Sequence, residues 1–162
     1  MARLPMHAGA AHKELNCVSC HAQHRFDTSY ASVDACVKCH DDTHTQNYFQ
    51  SKHYHLWLSE KRGIGEKGSG VSCATCHLPR IKKTQFGETY TLVDHNQNNY
   101  LQPNEKMVRS SCIRCHGLQF TLNSLADPKL VQDNFQGAPS IHVKSMEMVL
   151  EEKKKSDSKP QE

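Results

Sequence analysis

Apolar and aromatic residues are scarce in this chain of 162 residues. Only 36% of the residues are hydrophobic and 7% are aromatic, whereas ordinary globular domains contain about 45–50% apolar residues. A hydrophobic core built from side chains alone would therefore be thin. No apolar run approaches the ~18–20 residues that cross a bilayer, which excludes an integral membrane protein.

The chain also lacks a concentrated charge and an apolar leader. The formal net charge of +3 is small and evenly spread, so it does not argue for nucleic-acid binding, and we expect no nucleic-acid partner. Residues 1–7 contain one positive charge and no apolar stretch, so we expect no signal peptide within these residues.

Cysteine and histidine, in contrast, are abundant, with eight and twelve residues respectively. Every cysteine belongs to a C-x-x-C pair, and a histidine follows each pair directly. The four motifs are Cys17-Val-Ser-Cys20-His21, Cys36-Val-Lys-Cys39-His40, Cys73-Ala-Thr-Cys76-His77 and Cys112-Ile-Arg-Cys115-His116. C-x-x-C-H is the attachment signal for c-type haem, in which two thiols bond covalently to the porphyrin and the imidazole is the proximal iron ligand. The sequence therefore predicts four covalently attached haems.

Three other interpretations of the cysteine pairs compete with haem attachment. Four C-x-x-C pairs could form two four-cysteine zinc sites, structural disulfides of an exported protein, or a thioredoxin-like redox pair. None of them requires a histidine after each second cysteine. Because histidine makes up about 7% of the chain, four such placements by chance have a probability of roughly a few in 100,000.

Eight histidines remain after the proximal ones, and four of them are needed if every iron has a second imidazole ligand. We predict that the distal ligands are His12, His44, His53 and His95. His44 lies one helical turn after a proximal histidine, and His53 lies in an aromatic-rich segment. His12 precedes the first motif by five residues, and polar neighbours could orient His95 by hydrogen bonds. His24 and His142 are the next candidates for distal ligands, while His7 and His55 are expected to be surface or packing residues.

Methionine is a rival axial ligand that would raise the reduction potentials. The chain contains five methionines. Met146 and Met148 lie on a helical stripe, and we expect them to pack in the core rather than bind iron.

The expected fold is mainly α with long loops, wrapped around a haem stack, with little or no β-sheet. We expect a single tetrahaem cytochrome c domain over residues 1–150 and a charged, disordered tail over 151–162. Residues 44–62 predict a helix that ends at Gly63. Residues 79–104 lack helical periodicity and predict an ordered loop packed on haems.

Three short helices are expected after the fourth motif. Leu118, Leu122 and Leu125 share one face of the first. Asp127 and Pro128 begin the second, and Ser140 is a candidate N-cap for the third.

A family resemblance follows from these residues. The segment Ala35-Cys-Val-Lys-Cys-His40, followed by His44, Tyr48 and Ser51-Lys-His53, resembles the multihaem cytochromes c around hydroxylamine oxidoreductase, which include the tetrahaem cytochrome c of ammonia oxidisers. The stretch from His95-Asn-Gln-Asn98 to Cys112-Ile-Arg-Cys-His116-Gly117-Leu118 is similar to a haem-binding segment of the same superfamily.

The resemblance covers residues 10–145 and implies haems in close stacked and perpendicular pairs, a mainly helical fold and exported electron transfer. It implies His53 as a distal ligand through the Ser-x-His element. This chain departs from the family in carrying four motifs rather than eight, and no C-x-x-C-Lys motif of the kind that marks a catalytic haem. An open catalytic haem is therefore not indicated.

We expect an exported electron carrier or conduit rather than an enzyme, because bis-histidine irons have no vacant coordination position. Its partners would be redox proteins. Two alternatives remain: a polymerising subunit of an extracellular cytochrome filament, with haem contacts between copies of the chain, and a haem subunit of a nitrogen or sulfur oxyanion oxidoreductase. Haem is attached to C-x-x-C-H outside the bacterial cytoplasm, which predicts a location in the periplasm, outside the cell or at its surface.

Overall fold

The computed structural model describes residues 16–21, 24 and 27–157, without the side chains of residues 155–157. The described chain is mainly helical, which confirms the predicted class, but it also contains a small sheet. The helices are α1 (Cys17–Cys20), α2 (Thr28–Ser32), α3 (Thr43–Tyr48), α4 (Lys52–Lys61), α5 (Cys73–His77), α6 (Met107–Ser110), α7 (Leu118–Ala126), α8 (Pro128–Gln132) and α9 (Lys144–Asp157). The strands are β1 (Arg80–Gln85) and β2 (Glu88–Val93). Short 3₁₀ turns cover Gln97–Asn99, Asn104–Lys106 and Cys112–Arg114.

The aromatic segment forms two helices, α3 and α4, so the single helix predicted over 44–62 is wrong. Ser51 separates them: its hydroxyl donates to the carbonyl oxygen of Tyr48 at 2.7 Å and accepts from the N–H of Tyr54 at 3.1 Å. A serine that caps a helix in this way begins a new helix at that point. Gly63 follows α4 with φ of 72°, a left-handed conformation that commonly follows a helix end.

The ordered loop predicted over 79–104 is wrong for its first half, which is an antiparallel hairpin of β1 and β2. Phe86 and Gly87 form its two-residue turn, with φ of 54° and 83°. Two successive positive φ values give a turn whose twist matches that of the flanking strands. The run Thr89–Val93 is rich in β-branched and aromatic residues, which favour strands, and this signal could have predicted the hairpin.

The helix α7 forms where the leucine stripe predicts it, and α8 begins at the predicted Asp127-Pro128 start but ends at Gln132, short of the predicted end near Gly137. Asp127 caps α8, since its Oδ1 accepts from the N–H of Leu130 at 3.1 Å. Ser140 does not cap the last helix, and that prediction is wrong: its N–H and hydroxyl donate to Oδ2 of Asp127 at 2.9 and 2.7 Å. The helix α9 begins at Lys144 and continues to Asp157, into the charged segment for which the composition predicts disorder.

Buried hydrophobic side chains form two small clusters rather than one core. Val33, Tyr48 and Trp57 make up the first, beside α2, α3 and α4. The second consists of Met107, Val108 and Leu125, between α6 and α7. The core of the described chain is therefore thin, as the composition indicates. None of the described helices combines the length and the apolar character that a membrane crossing needs.

Candidate functional site

One turn of helix brings the first cysteine and the histidine of each motif to the same side of the chain. The histidine N–H donates to the carbonyl oxygen of the first cysteine, which closes the turn. This hydrogen bond joins His21 to Cys17 at 2.9 Å, His40 to Cys36 at 3.0 Å and His116 to Cys112 at 2.9 Å, and the third motif is itself the helix α5. Residues i, i+3 and i+4 share a helix face, so the spacing gathers two thiols and one imidazole.

Side-chain caps define the start of two of these turns. Asn16 caps the first motif and Ser72 the third, each in a reciprocal capping box with the hydroxyl residue three positions later. These caps fix the entry of the chain into a helix of only four or five residues.

Three of the four motif histidines face a histidine from elsewhere in the chain. The ring centroids of His21 and His95 are 6.3 Å apart, those of His44 and His77 are 6.3 Å apart, and those of His53 and His116 are 6.1 Å apart. In each pair one ring belongs to a C-x-x-C-H motif and the other is a predicted distal ligand. The planes of the two rings meet at 60–64°.

These separations fit two imidazoles that bind one metal ion from opposite sides. An imidazole nitrogen binds a metal at about 2.0–2.1 Å, and it lies ~1.15 Å from the centroid of a ring whose bonds are about 1.33 Å long. Two rings on a straight line through the metal would therefore have centroids ~6.4 Å apart. The three observed distances lie within a few tenths of an ångström of that value.

The pairs connect parts of the chain that are remote in sequence. His44 lies on α3, after the second motif, and faces the third motif. His53 lies on α4 and faces the fourth motif, while His95 follows β2 and faces the first. Each of these three motifs is therefore paired with a helix or loop outside its own segment.

Hydrogen bonds orient the ring of His44. Its Nδ1 lies 2.5 Å from the carbonyl oxygen of Val131. A carbonyl oxygen can only accept, so Nδ1 holds the proton and the lone pair is on Nε2. The amide nitrogen of Asn134 lies 3.2 Å from Nε2 and donates to the carbonyl oxygen of His44 at 3.1 Å. Metal-binding histidines are typically oriented through the ring nitrogen that does not bind the metal, which is Nδ1 here. The amide of Asn134 would have to leave Nε2 before His44 could bind a metal.

Two of the paired rings are held in the neutral form, which is the form that binds metals. Burial, together with the neighbouring charges of His44 and His40, lowers the pKa of His77 to about 4. Burial and the neighbouring His116 also lower the pKa of His53.

Successive motifs lie close enough for their cysteines to influence one another electrostatically. The Cys36 thiol hydrogen-bonds to Cys73, which lowers the pKa of Cys36. Burial raises the pKa of Cys20, and the charges of Cys36 and Cys39 in the second motif raise it further. Burial raises the pKa of Cys76 to about 12, with a contribution from the fourth motif. The first motif thus adjoins the second, the second adjoins the third, and the third adjoins the fourth.

Apolar side chains are exposed around two of the motifs. Val18 and Ile113 lie inside the first and fourth motifs, and Leu118 and Phe120 follow the fourth. The ring of Phe120 lies 5.2 Å from that of His116 at an interplanar angle of 31°. Such surface suits contact with a large apolar group.

The other histidines either lie outside the described residues or belong to none of the three imidazole pairs. His7 and His12 lie outside the described residues. The structure places His40 near enough to lower the pKa of His77. His142 is exposed, with its Nδ1 3.4 Å from the amide nitrogen of Asn123.

His24 and His55 are exposed as well. The ring of His55 lies 5.8 Å from that of Tyr54. Sequence reasoning missed Val131 and Asn134, which orient His44 from α8 and the turn after it. No local signal reveals a contact that joins positions so far apart in the chain.

The chain matches no protein-family model, no curated protein and no solved structure. Across the part of the chain that the structure describes, no group of three or more His, Cys, Asp and Glu side chains could hold a metal ion by itself, and all eight cysteines are free.

Proposed function

We propose that this chain is a tetrahaem c-type cytochrome that transfers electrons as an exported carrier or conduit. The three imidazole pairs, at 6.1–6.3 Å, carry the proposal. Each pair joins a motif histidine to a histidine outside the motifs, as two axial ligands of one iron would be arranged. The resemblance to the multihaem cytochromes c around hydroxylamine oxidoreductase supports the same proposal.

Each haem would be held by one motif and one distal histidine. In chain order, the proposed sets are Cys17, Cys20, His21 and His95; Cys36, Cys39, His40 and His12; Cys73, Cys76, His77 and His44; and Cys112, Cys115, His116 and His53. His12 is proposed from the sequence alone. A bound haem supplies an iron that gains and loses single electrons.

The protein residues would favour electron transfer over substrate chemistry. Two neutral imidazoles from the chain would hold each iron, and this would leave the haem to exchange electrons rather than bind a substrate. The contacts between successive motifs favour a continuous path from the first to the fourth. Attachment of this kind implies export, to the periplasm or to the cell exterior, and redox proteins as partners.

Mass spectrometry of the mature protein tests the proposal. The polypeptide of 18.4 kDa should gain about 2.5 kDa, because four haems of ~616 Da are attached covalently. A Cys112→Ala, Cys115→Ala variant should lose one haem mass and keep three. A Ser110→Ala variant is the matched control and should keep all four. An unmodified mass with two bound zinc ions would reject the proposal.

A subunit of a cytochrome filament is the second candidate. The hairpin of β1 and β2 favours it: nearly all its residues are exposed, and Phe86 at its tip is 96% exposed. An isolated two-stranded hairpin is marginally stable in water, so a contact with another copy of the chain would stabilise it. Electron microscopy and size-exclusion chromatography should then show filaments that Phe86→Ser disrupts, whereas a monodisperse monomer would exclude this candidate.

A further inference from the structure

A cationic cavity lies between the hairpin and the segment that leads to the fourth motif. Its volume is about 760 Å³. Five basic side chains line it, and no acidic one does: Arg80, Lys82, Lys106, Arg109 and Arg114. No cysteine or histidine lines the cavity, so it is separate from the three imidazole pairs.

The fold directs these charges toward one space. Arg80 and Lys82 are two positions apart on β1, so their side chains project from the same face of the strand. Arg109 lies on α6, and Arg114 ends the 3₁₀ turn of the fourth motif. Lys106 is fixed by its bond from Nζ to the carbonyl oxygen of Asn98, at 3.3 Å.

Among the described residues, neighbouring carboxylates form no salt bridge with the five basic side chains of the cavity. The oxygens of Glu60 accept from the N–H groups of Gly68 and Gly70, each at 2.7 Å. These hydrogen bonds lower the pKa of Glu60, and the charge of Arg80 lowers it further. Asp94 accepts from the N–H of Asn96 at 2.8 Å and from other groups of the same loop.

Like charges grouped in this way repel one another unless an anion joins them. Guanidinium groups bind carboxylate and phosphate oxygens through two parallel hydrogen bonds. A cavity of this volume falls in the range of small-molecule sites, about 300–1,000 Å³, and exceeds what a single phosphate needs. The lining therefore matches a ligand with more than one anionic group.

We propose that this cavity binds a multiply charged carboxylate or phosphate ligand. Two sources carry that chemistry: an anion from solution, or the propionates of the protein's own haems. The second source rests on the proposed function, whereas the first does not.

Titration calorimetry at low ionic strength tests the first source, with citrate and inorganic phosphate as the probes. The purified full-length protein, with its haem content fixed by its mass, should bind citrate at one site. A Lys82→Gln, Arg109→Gln variant should bind it at least about tenfold more weakly, because it loses two of five cations. Lys144→Gln, which removes an exposed cation from α9 outside the cavity, is the matched control and should bind citrate as the native protein does.

Resonance Raman spectroscopy and thermal unfolding test the second source. If propionates fill the cavity, the native protein should bind neither probe, and the double variant should shift the propionate modes and unfold several degrees lower at low salt. The control should change neither quantity. Citrate binding that the double variant retains would overturn the proposal. So would a protein that binds no probe and whose double variant matches the control in both measurements. Failure of haem attachment would appear in the mass and leave the citrate experiment readable.

Discussion

His53 on α4 faces His116 of the fourth motif, with their ring centroids 6.1 Å apart. The cap at Ser51 begins α4 two residues before His53 and so sets its direction. The ring of Phe135 also lies near His53, with the ring centroids 6.4 Å apart. The capped helix α4 and the neighbouring Phe135 thus position the ring of His53, which the sequence identifies only as a candidate ligand.

If the chain carries four haems as proposed, replacement of His53 by alanine should convert one iron to the high-spin state. The other three irons should remain low-spin, because their imidazoles are untouched, and the altered haem should gain affinity for cyanide or carbon monoxide. Electron paramagnetic resonance of the fully loaded protein measures this change. His55→Ala is the matched control, since it removes an exposed imidazole from the same helix, and it should stay wholly low-spin. A wholly low-spin His53→Ala protein would reject the assignment.

The first motif gives a parallel test with a different distal residue. His95→Ala should leave one iron without its second imidazole, because His95 lies 6.3 Å from His21. The optical spectrum should then show a high-spin band whose intensity corresponds to one of the four haems. His24→Ala removes an exposed histidine close to the same motif and should leave the spectrum unchanged. The reverse pattern would make His24 the ligand.

Replacement of Asn134 by alanine should destabilise the protein by about 1 kcal/mol, because the half-buried carbonyl oxygen of His44 loses its donor. Asn134 also has φ of 52°, which alanine tolerates poorly. Asn134→Gly separates the two effects, since it relieves the backbone but still lacks the amide. Denaturant unfolding measures both. A glycine variant as stable as the native protein would show that the amide contributes nothing.

Asp127 should make stability depend on pH under acidic conditions. Hydrogen bonds from Ser140 and Leu130 hold the pKa of this carboxyl at about 2, below its ordinary value of about 3.9. The folded state thus favours the carboxylate. Its stabilising effect is complete above pH ~4 and is lost as the pH falls through about 2.

Asp127→Asn should accordingly unfold at a lower temperature than the native protein at pH 6, and the difference should shrink between pH 4 and pH 2. Thermal unfolding followed by circular dichroism measures it. Asp133→Asn is the control, because Asp133 forms an ion pair with Lys129 at the surface, and exposed pairs contribute little. A difference that does not change with pH would contradict the assigned role of the charge.

Parts of the fold were predictable because their signals are local. The helices α7 and α8 follow from a leucine stripe and from the Asp127-Pro128 start, both of which act within a few residues. The hairpin was equally local, yet the polar composition of 79–104 concealed it. Ser140 was misjudged because its partner is Asp127, thirteen positions away, rather than an N–H group of the following helix.

The sequence by itself determined the four C-x-x-C-H motifs, on which the proposal of haem attachment rests. Each C-x-x-C-H motif needs only one helical turn to gather its two thiols and its imidazole, so consecutive residues contain all the required information. The choice of partner for each imidazole was decided only by the tertiary structure. The spacing of the residues predicts His44, His53 and His95 as distal ligands, but it does not predict which motif each one faces. That choice depends on how α3, α4 and the segment after β2 pack. Packing brings together residues that are far apart in the sequence, and their spacing along the chain does not predict the contact.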